Sequence, residues 1–225
     1  MLNLHPMNIS IKDVLYKIRV FFIPYLVVLM LCLAIKIMFS REQIYFAVNS
    51  RNFPLGDFIA PYLTDLGNFW TVVVLSFILV LFSYAKAFML LLVNSITALT
   101  AQVFKHIFDS PRPSVYFQSQ LAHIHFVKGV EMLKLHSFPS GHTVSAFTTA
   151  VLFTYWAKNK FWGFPLLLLA MAVGYSRMYL SEHFFEDVTA GSVIGTITTI
   201  CLIVWLANAK FLKSVKWNRG LVKKE

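Results

Sequence analysis

Six apolar stretches, about Val20–Phe39, Trp70–Tyr84, Phe88–Phe104, His142–Trp156, Phe161–Tyr179 and Val188–Ala207, run through this chain and leave it few ways to fold. No water reaches a bilayer core to take up backbone N–H and C=O groups, so such a segment must satisfy them within itself, as a helix does. A full crossing needs roughly twenty residues. Several stretches are shorter, so their ends are expected to run on into the polar segments beside them. The sequence predicts an all-α fold: a six-transmembrane helix bundle forming one integral membrane domain over residues 1–225.

Composition agrees. Of the 225 residues 58% are hydrophobic and 13% charged, where a soluble domain carries roughly a quarter charged. The net charge of +10 raises the question of nucleic acid, but the bases flank apolar spans and are not interleaved with aromatics on one soluble face. The positive-inside rule explains them, and no nucleic-acid partner is expected. Both termini inside gives the cytoplasm the larger share of Lys and Arg, including the basic tail 208–225. Lys12, Lys17 and Arg19 precede a long apolar run with no small-residue cleavage site, so the first span is expected to be an uncleaved anchor. Lys36, near the outer end of that span, is expected to snorkel. Cys32 and Cys201 lie in apolar runs and read as small core residues.

Between the first two spans, Leu55, Phe58, Ile59, Tyr62, Leu63 and Leu66 recur at helical spacing behind Pro54, which favours a first helical turn. A helix lying in the interface fits, either as a packed connection or as a floor beside the lipid entry. Ser114–Phe138 holds His123, His125 and His136, whose spacing does not resemble a metal site, and a lid or headgroup-contacting loop is the expectation.

With this orientation three polar clusters fall on the non-cytoplasmic side. The first, Lys105–Pro113, offers a point cation and a planar fork, Lys105 and Arg112, suited to a phosphoryl group approached from two directions. Pro111 and Pro113 restrict the backbone around Arg112. The second, Pro139–His142, ends where an apolar helix begins: Ser140 is a candidate N-cap, Gly141 allows close backbone approach, and the first amides attract anions. His142 stands beside them as a possible proton donor. In the third, Ser176–Asp187, Arg177 adds a cation, and His183 and Asp187 are spaced to share one helix face. The carboxylate would then accept from one imidazole nitrogen and leave the other free to attack phosphorus.

Lys-x6-Arg-Pro, Pro-Ser-Gly-His and Ser-Arg-x5-His-x3-Asp, in this order and between membrane spans, resemble the signature of the type 2 phosphatidic acid phosphatase family, which shares its site with vanadium haloperoxidases. The similarity covers about 57–191. It implies an integral membrane lipid phosphatase, metal-independent and without a cofactor, that removes the terminal phosphate of a lipid phosphate or diphosphate. Undecaprenyl diphosphate, phosphatidylglycerophosphate, phosphatidic acid and a lipid A phosphate all fit. It further implies that Lys105, Arg112 and Arg177 bind phosphate with Ser140 and the Gly141 amide. His183 would be the nucleophile, Asp187 its orienting carboxylate and His142 the acid for the leaving oxygen. The spare loops and charge bias fit a bacterial inner membrane with the site on the periplasmic side. The rival readings are an anion or lipid transporter, for which Lys36, Asn94, Thr97 and Gln102 give a sparse path, and a vanadate-dependent haloperoxidase.

Overall fold

The structure is a computed structural model that describes residues 8–222, so Lys223 and Lys224 of the basic tail lie outside the described residues. Among the described residues every regular element is helical. Helix α1 (Ile11–Lys17) starts from a capping box in which Ser10 and Asp13 exchange hydrogen bonds. Ile18 separates it from α2 (Arg19–Met38), a long apolar helix of which only Phe21 and Tyr25 are buried. Next come α3 (Arg41–Asn49), α4 (Pro54–Asp65), α5 (Phe69–Val80) and α6 (Tyr84–Phe108). The short α7 (Pro113–Tyr116) is followed by α8 (Gly141–Trp156), α9 (Gly163–Tyr179), α10 (Phe185–Asn208) and α11 (Val215–Asn218).

Four segments, Arg19–Met38, Tyr84–Tyr116, Lys160–Tyr179 and Phe185–Asn208, are long and apolar enough to cross a membrane. The pair α4 and α5, bent by 57° at their junction, makes a fifth if taken as one span. Helix α8 has 16 residues, about 24 Å at 1.5 Å per residue, and is the most enclosed element. Val144, Ala146, Phe147, Ala150, Val151 and Leu152 are all buried there against α9 and α10.

Helices pack this closely in lipid when small residues let their backbones meet. A Cβ placed on Gly195 of α10 would lie 2.5 Å from the Val144 carbonyl oxygen, and one on Gly191 2.7 Å from that of Ser140. The four-residue spacing of these glycines puts both on the face that meets α8. Gly67, in the α4–α5 bend, is likewise held against the start of α8, its missing Cβ only 2.5 Å from the His142 carbonyl oxygen.

Helix α4 begins with Pro54 in its first turn, as expected. Its small residues, Gly56, Ala60 and Thr64, are buried, whereas Leu55, Phe58, Ile59, Tyr62 and Leu66 are exposed. The greasy face thus points away from the bundle. One expectation is corrected. Cys201 is exposed, because it faces outward from α10 and not into the core. Lys36, expected to snorkel, has its Nζ 3.3 Å from Glu186 Oε1 in the first turn of α10.

Replacing Gly195 by Ala should force α8 and α10 apart at their closest approach and cost about 1–3 kcal/mol. The measurement is the thermal unfolding midpoint in detergent, expected to fall; an unchanged midpoint would show that the contact tolerates a methyl group.

Candidate active site

Helix α6 has 25 residues, about 38 Å, and so carries Lys105 on its last turn beyond the apolar stretch. The helix stops at Asp109, whose left-handed φ of 36° redirects the chain. Arg112 then sits at the start of α7, with Pro113 in the first helical position.

The segment 134–137 joins this cluster to the others. The Arg112 amide donates to the Lys134 carbonyl (2.9 Å) and its Nε to that of Leu135 (3.1 Å), while Lys105 Nζ donates to the His136 carbonyl (3.1 Å). Ser137 Oγ donates to Asp187 Oδ2 at 2.6 Å, and the Ser140 amide to the Asp187 carbonyl at 3.0 Å. The loop expected to act as a lid therefore runs, at its C-terminal end, through the cluster itself. Farther along, His125 Nε2 lies 3.0 Å from Asp57, which also accepts from the Tyr179 hydroxyl at 2.6 Å. This contact holds the loop to α4.

The third cluster follows from the end of α9. Arg177 lies in its last turn, and both the Glu182 and His183 amides return to the Arg177 carbonyl. Ser181 makes the reversal with φ 58°; its Oγ accepts from Tyr45 (2.9 Å) and Asn49 (3.0 Å). His183 is consequently 1% exposed.

Two local expectations are overturned. His183 and Asp187 do not share a helix face, because α10 starts only at Phe185 and His183 belongs to the preceding loop. Asp187 Oδ2 instead accepts from the Phe184 amide (2.8 Å) and Ser137, and His183 Nδ1 approaches it only to 3.5 Å, without a hydrogen bond. A helix start offers free amides, and these win the carboxylate. Ser140 stands at the N-cap of α8 but its side chain makes no capping bond, since its Oγ accepts from Thr143 Oγ1 at 2.9 Å. The first amides of α8 thus stay available, and nothing lies within 4 Å of where a Cβ on Gly141 would be. That open space adjoins a cavity of about 260 Å³ whose lining includes Lys105, Gly141, His142, Val72, Ala98 and Ala101.

Glu182, which carried no expected role in binding, is 3% exposed and lies between two arginines. Its Oε2 accepts from Arg112 Nη1 and lies 3.3 Å from Arg177 Nη2. Thr64 of α4 accepts from Arg177 Nη1 at 2.8 Å. Ser137 and Thr64 gave no signal in the sequence; Glu182 did, as a carboxylate beside two basic motifs. Glu186 turns away toward Lys36 and Arg41, so the three carboxylates around His183 diverge. Among the described residues no three His, Cys, Asp or Glu side chains form a group able to hold a metal ion.

Electrostatics tie the clusters together. Burial first, then the positive fields of Arg112, Arg177 and Lys105, hold the His183 imidazole well below its ordinary pKa. Burial pushes the Glu182 carboxyl up, and Arg177 and Arg112 pull it back.

A family model described as the PAP2 superfamily matches residues 86–211. The bacitracin transport permease protein BcrC of Bacillus licheniformis is 36% identical over 32% of this chain and 34% of its own length. A lipid A 4'-phosphatase of Porphyromonas gingivalis is 27% identical over 70% of this chain and 69% of its own. Across three alignments, that with BcrC included, the shares of the relatives' own lengths that are spanned are 34%, 20% and 48%, so the chain matches half or less of those proteins. The crystal structure of Aquifex aeolicus LpxE superposes with a TM-score of 0.63 at 28% identity, covering 71% of this chain and 92% of that one.

Because its pKa is depressed, His183 should remain the neutral base as pH falls through 6.5, the ordinary histidine value. Histidine-selective labelling and NMR would follow it. A His183 signal that titrates at or above 6.5 would mean that the ring is hydrated or that the three cations lie elsewhere.

Proposed function

Since the chain belongs to the PAP2 superfamily, we propose that it is an integral membrane lipid phosphatase, a phosphoric monoester or diphosphate hydrolase that uses a phosphohistidine intermediate and no metal. One observation carries the reading: Glu182 joins Arg112 and Arg177 immediately before the buried His183, and the 134–137 segment ties Lys105 and Arg112 to the same cluster. Phosphoryl transfer is mostly positioning and charge stabilisation, and three fixed cations supply both.

In this mechanism Lys105, Arg112 and Arg177 hold the phosphate oxygens with the Gly141 amide, which Ser140 places at the start of α8. His183 Nδ1 faces Asp187, so Nε2 attacks phosphorus. The P–O bond to the lipid breaks, and His142 gives its proton to the leaving oxygen. Asp187 balances the charge that builds on the ring. Water then attacks phosphorus, His142 takes its proton, the P–N bond breaks, and inorganic phosphate leaves. The cavity that His142 and Lys105 help to line gives the leaving group room.

The membrane arrangement belongs to the same proposal. Helices α2, α5, α6, α8, α9 and α10 are the six crossings, with α4 in the interface, its greasy face toward lipid. Both termini are cytoplasmic, and the site opens to the periplasmic side of a bacterial inner membrane. The whole chain, 1–225, forms one domain whose motif-bearing core is about 57–191. One relative, aligned over 70% of this chain and 69% of its own, is a lipid A 4'-phosphatase, so a phosphorylated saccharolipid is the first substrate to assay. Undecaprenyl diphosphate, phosphatidylglycerophosphate and phosphatidic acid come next. The name of one relative favours transport. Against it, Asn94 and Thr97 are engaged within the bundle, on the Leu90 carbonyl and the Asn94 carbonyl respectively, and Lys36 on Glu186.

Phosphate release by the purified protein in detergent against that panel tests the proposal. His183→Ala should lower kcat by on the order of a thousandfold or more while the protein stays folded; near-normal turnover would remove the nucleophile. In the same assay a chelator should leave the rate unchanged, and loss of activity restored by magnesium would contradict the metal-free mechanism.

A further inference from the structure

Arg112 and Arg177 come from segments far apart in the chain, and two guanidinium groups brought together in a buried site repel each other with little screening. Glu182 removes the conflict by placing one carboxylate oxygen between them. Its backbone repeats the pairing: the Glu182 carbonyl accepts from Arg112 Nη1 at 3.2 Å, and its amide donates to the Arg177 carbonyl at 3.0 Å. A single residue thus touches both arginines and immediately precedes His183.

The arrangement leaves one buried donor for a ligand. Arg177 Nη1 is held by Thr64 and Nη2 faces Glu182, but Nε is buried and has no partner among the described residues. A buried donor of this kind costs stability unless something else accepts from it. The Glu182 carboxylate also lowers the net charge of the cradle, where it and Asp187 stand against Lys105, Arg112 and Arg177. A site of three uncompensated cations would bind any phosphate tightly, including the one it has just released.

We propose that Glu182 is a positioning residue with a second effect on affinity: its reach sets the separation of the two arginines, and its charge keeps the affinity for free phosphate low so that product leaves. The inference rests on the phosphatase reading above and concerns what only this chain's own Glu182 adds to it.

Two variants separate reach from charge. Glu182→Gln keeps length and an accepting oxygen but removes the charge, so inorganic phosphate should inhibit about tenfold more strongly, with a lower KM for lipid substrate. Glu182→Asp keeps the charge but draws it back by one methylene, so KM and the inhibition constant for phosphate should both rise several-fold, with a smaller change in kcat. Phosphate inhibition that is unchanged or weaker in Glu182→Gln would overturn the charge effect. If that variant does not fold, Glu182→Asp decides, and kinetics equal to the unsubstituted protein's would overturn the positioning. An unsubstituted protein that releases no phosphate from any lipid of the panel would instead sink the phosphatase reading itself.

Discussion

Like charges gathered inside an apolar bundle are the condition that the rest of this structure answers. Lys105, Arg112 and Arg177 could each lie comfortably in water or at the headgroup level, but together beside His183 they lose hydration and repel. Two carboxylates, Glu182 on the loop between α9 and α10 and Asp187 in the first turn of α10, make the gathering tenable. Glu182 joins the arginines, and Asp187 ties Ser137 to the first turn of α10. Both flank His183, so the loop that supplies the proposed nucleophile and the helix turn that follows it also supply the charges that hold its surroundings in place.

The bundle beneath provides a rigid base for that loop. Helices α8, α9 and α10 approach closely because glycine and threonine line their contacts, and the N-terminus of α8 is fixed from two sides. Gly191 presses on the Ser140 carbonyl and Gly67 on that of His142. The amides of the α8 start and the imidazole of His142 are therefore positioned by helix packing and not by a flexible loop, as a preorganised anion site requires. Around this core α2 and α4 are mostly exposed, presenting apolar side chains outward as lipid-facing helices do.

Much of this was legible in the residues. Long apolar runs in a bilayer satisfy their backbone groups as helices, and the helix limits in the structure differ from the expected ones mainly by a few residues at either end. There α6 runs four residues past Phe104 to carry Lys105. The helix after Pro54 was likewise readable, since proline at a first turn and a three-and-four spacing are local signals. The pairing of His183 with Asp187 was not, because the spacing is compatible with a helix that in fact starts two residues after the histidine. Ser140 shows the same limit: a serine before an apolar helix suggests a cap, yet Thr143 engages the hydroxyl.

By itself, then, the sequence determined the membrane class, the helical secondary structure and the chemical types at the site, because these depend on hydrophobicity and on residues close together in the chain. Tertiary structure decided which partner each charged group takes. Glu182 between the arginines, Ser137 on Asp187, Thr64 on Arg177 and the 134–137 carbonyls on Lys105 and Arg112 are contacts across tens of residues. Such pairings have no local pattern, since they are fixed only when the helices pack and bring separate ends to the same face.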